Sequence, residues 1–286
     1  MENYRPLLFT YAYNILGAAL EAEDVVQDVF EKYLTMDSST VQNEKAYLIK
    51  MVINHAINRK NKLNKTIIAY PHNWLPEPVS TDNSIQDAEN EHLLSYSLMI
   101  LLEKLEVRQR AIFLLKEAFG YSHEEISNTL DISQEVSRQS LSRAKKKLKG
   151  ATISRPSPKG DTALMEYLSA IQSGDADKLE KLLLDDISLT SDGGGKVPAG
   201  TNILYGKERV MAMLQGIYRK FYQEITIHQT VINHTPALLY LTAEGLVINC
   251  QVFVFNRGKI AQMYFIRNPD KLTLFKKKPH IPSHNR

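Results

Sequence analysis

Two short stretches concentrate side chains that can hold a polyanion and read what it carries. Residues 133–146 contain Ser133, Gln134, Glu135, Arg138, Gln139, Arg143, Lys145 and Lys146. Guanidinium and amide groups make paired hydrogen bonds to base edges, and lysines neutralise phosphate. Residues 50–60 contain Lys50, Asn54 and Asn58, spaced four apart, followed by Arg59 and Lys60. The same chemistry applies to them, although a lysine-rich, frayed helix end fits them equally well. A third stretch has the opposite sign. Asp24, Gln27, Asp28 and Glu31 follow the i, i+3, i+4, i+7 spacing of one helix face. Such a stripe is either a solvated face or a dock for a basic partner.

These residues need helices to position them. Tyr121 to Lys149 reads as two helices joined by a tight turn at Asp131-Ile132. Ser122 and Glu125 fit a Ser-x-x-Glu capping box, and Ser133 is an N-cap for the second helix. Ile126 and Leu130 face inward on the first helix. On the second, Val136, Leu141, Ala144 and Leu148 are expected inside, with Gln134, Glu135, Arg138, Gln139 and Arg143 outside. That is the layout of a DNA-reading helix-turn-helix; a helical hairpin with a solvated basic face is the plainer alternative. Upstream, helices are expected over 7–17, 21–34 and 44–60. Val25, Val26, Val29, Phe30 and Tyr33 line the second, and Leu48, Ile49, Val52, Ile53 and Ile57 the third.

The composition sets bounds. With 286 residues, 43% hydrophobic and 23% charged, the chain reads as two or three globular domains with ample core. A net charge of +3 requires any nucleic-acid surface to be a local patch. The single cysteine, Cys250, allows no intramolecular disulfide and fits a reducing cytosol. The opening residues do not read as a signal segment, and no apolar run approaches the roughly 20 residues of a membrane span. The expectation is a cytoplasmic protein with no membrane partner, no cofactor and no metal, since no His/Cys/Asp/Glu group has ligand spacing.

The stretch LLFTYAYNILGAALEAEDVVQDVFEKYL resembles region 2 of an extracytoplasmic-function sigma factor of the sigma-70 family. VRQRAIFLLKEAFGYSHEEISNTLDISQEVSRQSLSRAKKKL resembles region 4 of the same family. The resemblance implies an RNA polymerase sigma factor that directs promoter recognition and transcription initiation. It places Asp24, Gln27 and Asp28, with Glu31 on the same stripe, against the β′ clamp helices of core RNA polymerase, with the β flap as a further partner. It places Asn54, Asn58, Arg59 and Lys60, with Lys50 beside them, on the −10 element, where a base leaves the stack for a protein pocket. It places the outer face of the second helix-turn-helix helix, Ser133 to Lys146, on the −35 element. One departure matters: Asn58 stands where many members carry Asp, and Lys60 replaces the second Arg of a pair. The promoter preference is expected to differ accordingly.

The expected division is region 2 over 1–66, a linker over 67–92, region 4 over 93–150, a Pro/Ser/Gly hinge over 151–160, a C-terminal domain over 161–275 and a basic tail over 276–286. The linker carries the only tryptophan, in NWLPEPV. Its prolines exclude a continuous helix and preset an extended peptide. It either staples to its own neighbour or docks on another domain. In the C-terminal domain, helices are expected over 162–184, broken at Gly174, and over 206–222. Strands are expected over 187–190, 225–232, 237–242, 246–255 and 259–266. Helices cradled by a curved antiparallel sheet make an α+β cone, which resembles the SnoaL-like branch of the nuclear-transport-factor-like superfamily. The whole is thus multidomain: all-α sigma regions followed by a SnoaL-like cone.

Three short motifs resemble signatures of one sigma-factor subgroup with such an extension. They are WLPEP (Trp74, Leu75, Pro76, Glu77, Pro78), DGGGK (Asp192, Gly193, Gly194, Gly195, Lys196) and NPDKL (Asn268, Pro269, Asp270, Lys271, Leu272). The resemblance implies that the cone contacts the linker and the sigma domains and regulates them in cis. A phosphate role for the glycine loop lacks the strand–loop–helix context and Lys-Ser/Thr ending. His228, His234, Asp192, Tyr240 and Tyr264 are base candidates by residue type alone, and no catalytic residue is assigned; whether the cone holds a small ligand stays open. The alternative function is a conventional helix-turn-helix regulator with a ligand-sensing or catalytic cone, which would leave the acidic stripe unexplained.

Overall fold

The computed structural model describes residues 2–37, 39, 41–68, 70, 73–82, 92–149, 160–221 and 225–276. The expected hinge over 151–160, apart from Gly160, and the tail beyond Lys276 lie outside the described residues, as does the linker over 83–91. The chain forms two compact units, one drawn from 1–69 and 83–153, the other from 70–82 and 154–286.

The first unit is helical. Its helices are α1 (Arg5–Leu16), α2 (Ala19–Thr35), α3 (Glu44–Ile68), α4 (Tyr96–Leu102), α5 (Val107–Phe113), α6 (His123–Leu130) and α7 (Gln134–Leu148). Pro6 sits in the first turn of α1, where its missing N–H costs nothing. The apolar stripes of α2 and α3 are buried as their periodicity requires, with Val26, Val52 and Ile53 at 0% exposure. The α3 helix runs two turns beyond the expected Lys60, because no Pro or Gly interrupts residues 61–68. A π-helical turn over Leu114–Ala118 follows α5. The capping box of α6 forms in both directions: Glu125 N–H donates to Ser122 Oγ (3.1 Å) and Ser122 N–H to Glu125 Oε2 (2.7 Å). Asp131 makes the turn in the left-handed region (φ 51°), and Ser133 Oγ caps α7 by accepting Val136 N–H (3.2 Å).

The second unit is the expected cone. Helices α8 (Gly160–Ser173), α9 (Ala176–Leu182) and α10 (Lys207–Phe221) accompany a six-stranded sheet. Its strands are β1 (Leu183–Asp192), β2 (Leu204–Tyr205), β3 (Thr226–Ile232), β4 (Thr235–Leu241), β5 (Val247–Asn256) and β6 (Lys259–Ile266), in the order β2-β1-β6-β5-β4-β3. Gly174 breaks the first helical run as expected, at φ 68°. One expectation is corrected. The sheet is mixed, because β1 pairs with β6 in parallel. Sixty-odd residues separate the two strands in sequence, enough chain for the long crossover a parallel pair needs. Two hairpins close on two-residue loops with both residues at positive φ, Asn233-His234 and Arg257-Gly258, the signature of type I′ turns. Leu164, Tyr167, Leu238, Tyr240, Phe253 and Phe265 anchor the core between helices and sheet.

Candidate nucleic-acid interface and linker seat

The acidic stripe forms as expected. Asp24, Gln27, Asp28 and Glu31 are all exposed on α2. Gln27 accepts from Arg5 (3.2 Å) and donates to Glu31 (3.0 Å). Basic groups of α3 approach the same stripe. Arg59 Nε pairs with Glu21, its Nη2 lies 3.9 Å from Asp24, and His55 lies 3.6 Å from Asp28. The hydrogen bond that Arg59 donates to Glu21 is the main reason that its guanidinium is held above its usual range.

The α3 candidates have company from sequence-distant parts of the same unit. Lys50 Nζ donates to Asn128 O (2.7 Å) and Asp131 Oδ1 (3.0 Å) at the end of α6. A helix C-terminus plus a carboxylate is a natural seat for an ammonium. Asn54 donates to Thr129 O (2.9 Å) and to Lys50 O (2.9 Å). Asn58 alone of the five is exposed. Beside these residues lies a depression of about 430 Å³, with Val29, Tyr47 and Met51 against Lys50, Asn54 and Asn58.

Lys60 departs from its expected exposed position. It is 2% exposed, and its ammonium donates to Leu16 O (2.7 Å) and to both Glu103 oxygens (3.0 and 2.9 Å). Arg110, 1% exposed, pairs with the same carboxylate and donates through Nε to Asn14 O (2.9 Å). Burial pushes the Glu103 carboxyl up, but the charges of Arg110 and Lys60 outweigh it and hold it below the usual range. Neither Glu103 nor Arg110 stands out in the sequence. Their partners are 43 and 96 residues away, beyond any periodic pattern.

On α7 the candidates face outward. Gln134, Glu135, Arg138, Gln139, Arg143, Lys145 and Lys146 are exposed, as is the cap Ser133. Arg138 donates to Gln134 (2.9 Å) and Gln139 to Glu135 (2.8 Å), one turn apart. Lys145 reaches Glu117 (2.8 Å). The expected inner face needs one correction: Ser137, not Val136, is buried, and Val136 is exposed.

In the second unit the three motifs meet. Asp192, 0% exposed, ends β1 and receives four donors: Tyr70 OH (2.7 Å), Leu75 N–H (2.9 Å), Gly194 N–H (2.9 Å) and Lys271 Nζ (2.7 Å). Lys271 also donates to Leu75 O (2.5 Å), and its ammonium lies 4.2 Å from the Trp74 ring centroid. Asn268 donates to Tyr70 OH (2.8 Å). Leu75, Pro76 and Pro78 are buried, with Trp74 and Glu77 half-buried. The glycines serve close approach: a Cβ on Gly193 would meet Val197 O at 2.2 Å, and one on Gly194 would meet the Asn268 amide at 2.5 Å. Lys196 and Asp270 form an exposed pair (2.6 Å) that ties the two loops together. Pro269 is half-buried and Leu272 buried beneath them.

A second clip follows, which sequence reading missed. Thr81 N–H donates to Val231 O (2.8 Å), Asn233 N–H to Val79 O (2.9 Å), Val79 N–H to Asn233 Oδ1 (3.1 Å) and His234 N–H to Thr81 Oγ1 (2.9 Å). Ser80 bridges Ile232, so the peptide caps the β3 edge as an added strand. The signal available in the sequence was the Asn233-His234 turn. Of the base candidates, Asp192 is saturated, Tyr240 donates to Gln251 (2.9 Å) and Tyr264 to Gln262 (2.9 Å). His234 lies in the hairpin turn and His228 is half-buried on β3. Burial pushes the Tyr264 hydroxyl and the Cys250 thiol up, so both stay protonated at neutral pH. Among the described residues no group of three His, Cys, Asp or Glu side chains could hold a metal, and no helix is long and apolar enough to cross a membrane.

Comparisons with known proteins agree with this geometry. The family profile of Sigma-70 region 2 matches residues 1–66, and that of Sigma-70, region 4 matches residues 97–148. The chain is 26% identical to the ECF RNA polymerase sigma factor SigJ of Mycobacterium tuberculosis (strain ATCC 25618 / H37Rv) over 290 residues, covering 95% of this chain and 92% of SigJ. It is 25% identical over 191 residues to the probable ECF RNA polymerase sigma factor SigI of the same species (strain CDC 1551 / Oshkosh), covering 63% and 64%. The crystal structure of M. tuberculosis SigJ superposes with a TM-score of 0.77 at 24% identity, covering 95% of this chain and 96% of that one, which shows a shared fold across both units. Residues 1–66 and 97–148 are thus sigma-70 regions 2 and 4, the two parts of an RNA polymerase sigma factor, and the likeness to SigJ runs on through the second unit.

Proposed function

We propose that the α2 stripe of Asp24, Gln27, Asp28 and Glu31 docks on the β′ clamp helices of core polymerase, with region 4 on the β flap. The α3 residues Lys50, Asn54, Asn58 and Arg59 grip the melted −10 strand, with Lys60 anchoring the helix from within, and α7 reads the −35 element. Lys145 and Lys146 hold phosphate there while Arg138, Gln139 and Arg143 face bases. The cone regulates these contacts in cis by holding the linker, and it performs no catalysis. The division over 1–66, 93–150 and 161–275 describes these working parts, with residues 70–82 assigned to the cone.

One observation carries the cis-regulatory reading. Residues 70–82 lie in sequence between α3 and region 4, yet their hydrogen bonds run to Asp192, Lys271 and the β3 edge. Whatever grips this peptide acts on the connection between the two DNA-contacting parts. A promoter-reporter assay tests the reading. Deleting Gly160–Arg286 and, separately, Trp74→Ala should each change output relative to wild type. Identical output from both variants in every condition would sink it.

A further inference from the structure

The side chain that sequence periodicity misplaces on α7 has chemistry of its own. Ser137 takes the inner position, fully buried and hydrogen-bonded to His123 Nδ1 (2.8 Å). Val136 is thereby turned outward, 43% exposed. It is the one large hydrophobic side chain left exposed among the described residues of 92–149. It is also the third residue of α7, in the N-terminal half that a helix-turn-helix presents to base edges.

Its neighbours on that face are informative. Val136, Gln139 and Arg143 stand at i, i+3 and i+7, so they share one exposed stripe. Gln139 is steadied by its bond to Glu135 (2.8 Å). In the major groove an amide pairs with adenine, a guanidinium with guanine, and an apolar side chain with the thymine methyl group, which no other standard base carries. The stripe thus offers three different base-reading chemistries in succession. A β-branched side chain also has few rotamers in a helix, so its two methyl groups are held in place before any contact is made.

We propose that Val136 is a specificity-determining residue of the −35 contact and reads a thymine through its 5-methyl group. The inference rests on the assignment of α7 to the −35 element. The test uses the full chain in a holoenzyme reconstituted with core polymerase, on a promoter obtained by in vitro selection. Each upstream thymine is replaced in turn by deoxyuridine, which removes the methyl group alone. At one position the replacement should weaken wild-type binding about fourfold, the worth of one buried methyl-sized group. Val136→Ala should lose a similar factor on the thymine promoter and be indifferent to deoxyuridine at that position. Val136→Ile, which keeps the branch, should keep the sensitivity. Because Val136 is exposed, the variants should melt with the wild type. Deoxyuridine that is neutral at every upstream position, or equally harmful to wild type and Val136→Ala, would overturn the inference alone. Selection that yields no upstream sequence would overturn the −35 assignment and this inference with it.

Discussion

Helices α3 and α7 carry similar chemistry in different company. Of the five candidates on α3, Lys50, Asn54, Arg59 and Lys60 are bonded to groups of other helices or turns. On α7, Arg138 and Gln139 bond to residues one turn away on the same helix, and Arg143 and Lys146 stand in solvent. The acceptors that hold α3 are carbonyls and carboxylates, hydrogen-bond acceptors as are the phosphate and base oxygens of DNA. The chain carries only +3 net charge. Under the roles proposed for α3 and α7, the hold on DNA is set less by charge content than by which internal acceptors must be surrendered first. Under the proposed assignment the α7 face can meet duplex as it stands, whereas the α3 face must exchange partners.

The largest way to break this contrast is Glu103→Leu, which leaves Lys60 and Arg110 buried without their carboxylate. Losing one partner of a buried ion cluster should cost about 3–5 kcal/mol in denaturant unfolding of the helical unit. A loss within experimental error would mean that the cluster does not hold Lys60 back. Acid probes the same group. Its folded-state pKa lies below the ordinary value, so its contribution is full at neutral pH and is lost as pH falls through the depressed range. The unfolding midpoint should drop below about pH 4, and Glu103→Gln should flatten that dependence.

The presented face calls for a subtler measurement. Alanine at Lys145 or Lys146 should reduce the log–log salt slope of promoter binding by about 0.9 per lost phosphate contact, at any sequence. An unchanged slope would remove those lysines from the phosphate set. The smallest effect belongs to Asp131→Ala. The Lys50–Asp131 pair is largely solvated (side chains 41% and 78% exposed). Its loss should strengthen binding of the free protein to a single-stranded −10 oligonucleotide by no more than about fivefold, read by fluorescence anisotropy. Weaker binding would show that Asp131 does not compete with DNA.

Much of this was legible in the chain because local rules decided it. The Ser122/Glu125 box, the Asp131 turn and the strands from 225 onward follow from capping, left-handed turns and alternation, none of which needs a distant partner. The failures share the opposite cause. Periodicity gave Val136 the inner position because it is apolar, but His123 supplies a bond that lets the smaller Ser137 fill the space. Lys60 looked exposed because a lysine is buried only with a partner, and Glu103 lies 43 residues away. The parallel β1–β6 pair was missed because strand alternation does not encode direction. For the linker, the motifs named Asp192, Lys271 and Trp74, yet Tyr70 and Asn233 belong to no motif and complete the seat.

The seat for residues 70–82 has an order of manufacture. Tyr70 waits for Asp192, 122 residues later, and for Asn268, 198 residues later. At ordinary synthesis rates that interval is roughly 10–40 s. During it, region 2 and region 4 leave the ribosome in turn while the peptide between them has nowhere to bind. Every new molecule therefore passes through a stage in which the seat does not yet exist, and the seat can close only once Asn268 has been made.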